Sequence, residues 1–259
     1  MTQPVIALTE PTGPADAPLV VLGPSLGTST ILWEDVVPLL VDDYRVVSWD
    51  LPGHGAAPAA TAPFTVAEIA DAVADAVRSI GGDRILYAGV SLGGATGLEL
   101  LLRHASLVRG AAIVASGAQL GDAASWHERA AQVRAQSTSS VIIGSAQRWF
   151  APGSIERRPE LSGRLLHALQ DADDEGYARC CEALAAYDVR PRLGEIAAPV
   201  LAVFGRDDQV APEAKSVEIA EGVRDGRVAV IESAAHLPPA EQPEQTAAVL
   251  REFFREVAR

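Results

Sequence analysis

Cysteine is nearly missing from this chain: the 2 present among 259 residues, Cys180 and Cys181, are neighbours. In what reads as a helix, adjacent side chains diverge, so a disulfide between them is geometrically poor, and two small apolar groups filling a helix face are expected. That usage fits a reducing, cytoplasmic setting. Positive charge is also scarce. With 21 Lys+Arg against 34 Asp+Glu the formal charge is −13, which repels phosphate backbones and anionic lipid, so neither nucleic acid nor a membrane surface is expected as a partner. No apolar run is long enough to span a bilayer. The segment Met1 to Glu10 has neither a basic region nor an apolar core, so it does not read as a secretory leader. Clusters of Cys and His at metal-ligand spacing are missing, as is a G-x-G-x-x-G following a strand; hence neither a metal nor an organic cofactor is expected. Repeats and low-complexity segments are missing too.

What is present is a globular composition, 48% hydrophobic against 21% charged, on a chain long enough to bury a large core. Short β-branched runs bounded by Gly, Pro or Asp recur at Pro18 to Gly23, Tyr44 to Asp50, Arg84 to Gly89, Gly110 to Ser116, Pro199 to Gly205 and Arg227 to Glu232. Each reads as a buried strand. Between the second and third, Thr65-Val-Ala-Glu68 is a capping box, followed by Ile69, Val73, Val77 and Ile80 at helical spacing and stopped by Gly81-Gly82. Strands alternating with helices imply right-handed crossovers and a mostly parallel sheet flanked by helices, so the fold class is α/β. One interval breaks the alternation. Roughly 80 residues separate the strand ending at Ser116 from the one beginning at Pro199, and they carry only helical patterns, around Ser125 to Gln136, Ser140 to Phe150, Leu161 to Asp171 and Glu175 to Asp188. The expected organisation is a core of residues 1–117 and 191–259 interrupted by a helical lid over 118–190, lying at the carboxyl ends of the strands, where open α/β sheets bind ligands.

Gly89-Val90-Ser91-Leu92-Gly93 follows an apolar strand and precedes a helical stretch, which is the context of a nucleophile elbow. The glycines allow a strained turn with close backbone approach, leaving the Ser91 hydroxyl exposed above the sheet. A serine needs an imidazole to take its proton. His236, in the loop after the last strand, is the candidate; His104 and His167 sit in helical patterns, His127 lies in the lid where it could touch substrate, and His54 reads as a hydrogen-bonded structural residue. The imidazole needs a carboxylate to fix its tautomer, and Asp207 and Asp208 compete for that role, Asp208 favoured by standing three residues after the strand-ending Gly205. Two backbone N–H groups must meet the oxyanion. Leu92 supplies one, and Leu26, in Gly23-Pro-Ser-Leu-Gly27, the other, because Pro24 has no N–H to give.

These residues resemble the α/β-hydrolase family and, within it, the 3-oxoadipate enol-lactonases. The likeness spans nearly the whole chain. Its more particular pieces are Gly23-Pro-Ser-Leu-Gly-Thr28, Asp50-Leu-Pro-Gly-His-Gly55, Gly89-Val-Ser-Leu-Gly-Gly94, Arg148-Trp-Phe150, Asp174-Glu-Gly-Tyr-Ala-Arg-Cys-Cys181 and Ala235-His-Leu-Pro-Pro-Ala-Glu-Gln-Pro243. The resemblance implies a serine hydrolase with Ser91, Asp208 and His236 as its triad, working without cofactor on a small anionic lactone. Esterase, perhydrolase and carbon–carbon hydrolase activities share these motifs. A binding protein of the same fold would keep the pocket without the chemistry, and the intact triad counts against it. For the carboxylate of such a substrate the lid offers Arg129 or Arg134 on its first helix, where Trp126 could pack against the lactone ring, and Arg148 with Trp149 at the end of a later one.

Overall fold

The structure is a computed structural model and describes residues 4–258. Seven strands, β1 (Ala7–Leu8), β2 (Leu19–Gly23), β3 (Arg45–Asp50), β4 (Ile85–Val90), β5 (Val108–Val114), β6 (Val200–Gly205) and β7 (Gly226–Ile231), form one sheet in the order β1-β3-β2-β4-β5-β6-β7. β1 runs antiparallel to β3, and all other pairs are parallel. The six expected strands are all there, displaced by one or two residues at their ends. β1 is an addition, a two-residue strand too short for any periodicity to announce.

Burial explains the pattern. β2, β4 and β6 are buried along their whole length, as strands with a neighbour on each side and helices over each face must be. The expectation that every strand is buried fails at β7, where Arg227 and Val228 are exposed. β7 is the edge of the sheet and pairs only with β6, so one side has no strand to cover it.

The helix α1 (Val66–Ser79) begins with the expected capping box: Glu68 N–H donates to Thr65 Oγ1 at 3.2 Å and Thr65 N–H to Glu68 Oε2 at 2.8 Å. β4 passes through Ser91 directly into α2 (Leu92–Arg103). Between β5 and β6 stand α3 (Ala123–Gln136), α4 (Ile142–Trp149), α5 (Pro159–Asp171) and α6 (Asp174–Ala185), with a short helical turn at Ser154–Arg157 that no periodicity marked. The stretch read as one helix from Ser140 begins instead as a 3-10 turn, Thr138–Val141, before α4. α3 packs along α6. α7 (Glu213–Gly222) joins β6 to β7, and α8 (Pro243–Val257) closes the chain.

The β4–α2 turn leaves no room for a side chain. A Cβ on Gly89 would stand 2.3 Å from the carbonyl oxygen of Gly93 and one on Gly93 would stand 2.6 Å from that of Pro24. Both obstacles are backbone and cannot rotate away, so Gly89→Ala should lose about 3 kcal/mol or more. Urea unfolding of that variant checks this; a loss within about 0.5 kcal/mol would show that the turn has room.

Candidate active site

Ser91 sits at φ 55° and ψ −112°, a conformation that costs a non-glycine residue on the order of 1–3 kcal/mol and persists only where its surroundings enforce it. They do so through backbone bonds on both sides. Ser91 N–H donates to Val114 O at 2.9 Å, and Ser91 O accepts from Ala95 N–H at 2.9 Å and from Ser116 Oγ at 2.7 Å. Gly93 N–H donates to Pro24 O at 2.9 Å, which ties the elbow to the loop after β2, while Tyr87 Oη donates to Gly93 O at 2.7 Å.

His236 and Asp208 meet in the interior. His236 Nδ1 and Asp208 Oδ2 are 3.0 Å apart, with both side chains almost fully buried. The other carboxylate oxygen, Oδ1, accepts from Val210 N–H at 2.8 Å and Ala211 N–H at 3.1 Å. Burial by itself would raise this carboxyl, but His236 and the two N–H donors outweigh it and hold it below the ordinary carboxylate value. Asp207 is exposed at the surface, so the two adjacent acids leave β6 in different directions and only Asp208 reaches the imidazole.

The loop after β2 is built to present an N–H. Ser25 N–H donates to Thr28 Oγ1 at 3.1 Å, Thr28 Oγ1 donates back to Ser25 O at 2.8 Å, and Gly27 N–H donates to His54 Nε2 at 3.2 Å. Among the described residues, neither Leu26 N–H nor Leu92 N–H is spent on a protein acceptor, which leaves both free for an oxyanion. His54 is the structural residue that its loop suggested. Its Nε2 accepts from Gly27, so the proton is on Nδ1, which donates to Pro52 O at 3.0 Å. Burial pushes this imidazole down to about 4, against weaker opposing effects of Pro52 and Asp173. The remaining histidines lie elsewhere: His104 pairs with Asp71 near the surface, His167 is exposed on α5, and His127 is exposed on α3.

Of the candidates on the helices between β5 and β6, Trp149 reaches His236 and Gly27. Its ring lies against Gly27, and its carbonyl accepts His236 N–H at 3.1 Å. Trp126 is half-buried and its Nε1 donates to Leu120 O at 2.7 Å, with the Arg129 guanidinium 5.6 Å above the ring. Arg134 does not take part. It is exposed and held by Glu175 at 2.7 Å and Glu182 at 2.5 Å, two carboxylates of α6 that already satisfy its charge.

Residues 18–243 match the family profile described as the alpha/beta hydrolase fold. The chain belongs to the α/β-hydrolase family. It is 34% identical over 232 residues to 3-oxoadipate enol-lactonase 2 of Acinetobacter baylyi, covering 90% of this chain and 86% of that protein. A pimeloyl-[acyl-carrier protein] methyl ester esterase of Neisseria meningitidis is 31% identical over 243 residues, covering 89% of this chain and 91% of the esterase. The crystal structure of the enol-lactonase from Burkholderia xenovorans superposes with a TM-score of 0.93 at 28% identity, over 96% of each chain. Among the described residues of this α/β-hydrolase, no helix is long and apolar enough to cross a membrane.

One residue of this hydrolase escaped the reading of the sequence. Glu241 is buried, and its carboxylate gathers donors from two separate segments: Ala235 N–H at 2.7 Å and Leu237 N–H at 3.4 Å on Oε1, Ala151 N–H at 2.6 Å and Ser154 Oγ at 2.7 Å on Oε2. It therefore clamps the residues on either side of His236 to the chain that follows α4. Burial raises its carboxyl and the four donors pull it back only in part. An acid in the otherwise apolar run Leu237-Pro-Pro-Ala-Glu241 was the available signal, since such a group is kept only where it is bonded.

Two outcomes are expected. Glu241→Ala strands four donors and should cost about 3 kcal/mol or more, and Glu241→Gln should be nearly as harmful, because an amide nitrogen in either position faces donors; urea unfolding reads both, and a benign Gln variant would contradict it. For His54 the folded value is lowered, so its contribution is fully present above pH 6.5 and lost as pH falls from 6.5 toward about 4. That is roughly 3 kcal/mol of acid-sensitive stability. The slope of unfolding free energy over that window should flatten in His54→Gln; an unaltered slope would assign the acid sensitivity to other groups.

Proposed function

We propose that the protein is a serine hydrolase that opens the ring of 3-oxoadipate enol-lactone to give 3-oxoadipate through an acyl-enzyme. The observation that carries the serine chemistry is the buried Asp208–His236 pair at 3.0 Å in a fold whose strained turn presents Ser91. Ser91 Oγ attacks the lactone carbonyl as His236 Nε2 takes its proton, with Asp208 holding the Nδ1–H tautomer and stabilising the imidazolium. The oxyanion is met by Leu26 N–H and Leu92 N–H, each worth on the order of 3 kcal/mol in such sites. As the tetrahedral intermediate collapses, the bond from the carbonyl carbon to the ring oxygen breaks, and His236 returns the proton to the departing enol oxygen. The enol ketonises. Water then gives a proton to His236 and its hydroxyl to the acyl carbon, and Ser91 recovers its hydrogen as the acid leaves. No step calls for a cofactor.

The substrate reading is supported by the 34% identity to an Acinetobacter enol-lactonase and by Trp149, which lies against the oxyanion loop where a flat lactone ring would be. Residues 118–190 serve as the lid between the core parts 1–117 and 191–259 in this reading. The two free, buried thiols support a reducing, cytoplasmic setting. A carboxylesterase is the second reading, favoured by the 31% identity to a methyl ester esterase.

Assay of purified protein against the enol-lactone beside an acyl methyl ester separates the two, since the lactonase should turn over the lactone with a kcat/KM at least roughly a hundredfold higher. Ser91→Ala should lose about 10⁴ or more in rate and all labelling by a fluorophosphonate, and Asp208→Asn several orders of magnitude, whereas Asp207→Asn should stay within about threefold of the parent. A larger loss in Asp207→Asn than in Asp208→Asn would overturn the triad.

A further inference from the structure

Two arginines of the helical insertion converge on one cavity without a counterion. The cavity holds about 330 Å³ and is walled by Trp126, Arg129, Gln132, Arg148 and Gln209, with the exposed Glu128 at its side. Among the described residues neither Arg129 nor Arg148 is ion-paired, although several other arginines of the insertion are: Arg134 with Glu175 and Glu182, Arg158 with Asp35, and Arg164 with Glu34. Both guanidiniums are half-buried. They are close enough to act on one another, for burial and then the charge of Arg129 lower the proton affinity of Arg148.

Such an arrangement is unfavourable in the empty protein. Two like charges withdrawn from water repel, and neither has gained a carboxylate for the hydration it has lost, Arg129 resting only on the Trp126 ring. A single anion between them reverses both effects. The donors suit a planar one, since a guanidinium offers two parallel N–H groups matched to the two oxygens of a carboxylate. The site is braced from outside as well: Trp126 Nε1 is fixed to Leu120 O at 2.7 Å, and Arg129 stacks on its ring at 5.6 Å.

The position of the pair links it to the chemistry. Arg148 also lines a second cavity, of about 460 Å³, whose wall includes Asp208 and Ala235. Its neighbour Trp149 touches both halves of the catalytic apparatus, the ring on Gly27 and the carbonyl on His236 N–H. The charges of Arg129 and Arg148 both act on buried Tyr177, whose ring packs on the same Gly27. We propose that Arg129 and Arg148 form a carboxylate-binding subsite, so that the substrates of this enzyme are esters or lactones carrying a free carboxylate away from the scissile carbonyl. This rests on the serine hydrolase reading above, and it assigns the charge recognition to Arg148 together with Arg129 rather than to Arg134.

Two measurements test it. In the first, glutarate is titrated calorimetrically at low salt into Ser91→Ala protein, which cannot turn over, and into the same protein carrying Arg129→Met, Arg148→Met, Arg148→Lys or Arg134→Met. Either methionine variant should weaken glutarate binding roughly tenfold or more, Arg148→Lys should fall between because it keeps the charge and loses the fork, and Arg134→Met should not alter binding. In the second, kcat/KM for mono-4-nitrophenyl glutarate is divided by that for 4-nitrophenyl acetate. The ratio should drop roughly tenfold or more in both methionine variants, through KM. An undisturbed ratio, or equal glutarate affinity in all variants, overturns the subsite. Failure of the wild type to hydrolyse either ester overturns the hydrolase reading instead, and the titration still reports on the two arginines.

Discussion

A serine forced to positive φ at the end of a central parallel strand makes demands on everything around it. The turn closes only because Gly89 and Gly93 let two backbone segments approach to distances that no side chain permits, and it stays closed because Val114, Ser116 and Pro24 bond to its peptide groups. Those partners come from the end of β5, the residues just after it, and the loop after β2. Ser91, the strand beside it and the loop after β2 are thus one rigid object, and the strain at Ser91 is borne by the sheet rather than by the turn alone. α2 follows without a side-chain cap, which leaves Leu92 N–H unspent at the positive end of the helix.

His236 is held by a different kind of interaction. Where the elbow relies on close packing, the His236 loop relies on buried carboxylates: Asp208 on the imidazole itself, and Glu241 on the peptide groups of Ala235 and Leu237. Each carboxylate is satisfied by several donors, so the cost of burying it is offset locally. The two differ in their second partner. Asp208 reaches only its own loop, whereas Glu241 crosses to Ala151 and Ser154 after α4. His236 is consequently positioned as much by the insertion as by the core.

Much of this was legible in the sequence because it is local. Apolar runs, a capping box and a serine between glycines are each written within a dozen residues, and the order of Ser91, Asp208 and His236 follows the order of the strands that carry them. What escaped depended on partners distant in sequence. On α3, Arg129 and Arg134 look equivalent; their difference lies in Glu175 and Glu182, 41 and 48 residues beyond Arg134, which satisfy one arginine and leave the other. Glu241 bonds to Ala151, 90 residues earlier. β1 has two residues and no pattern, and the exposure of β7 is set by its place at the sheet edge, which spacing along a chain does not encode.

The contacts of Trp149 carry a consequence for motion. Its ring rests on Gly27 in the loop after β2, and its carbonyl holds the main chain of His236 in the loop after β7. Withdrawing the end of α4 from the core would release both contacts in one movement. Two loops that belong to different strands are thus coupled through a single residue of the insertion.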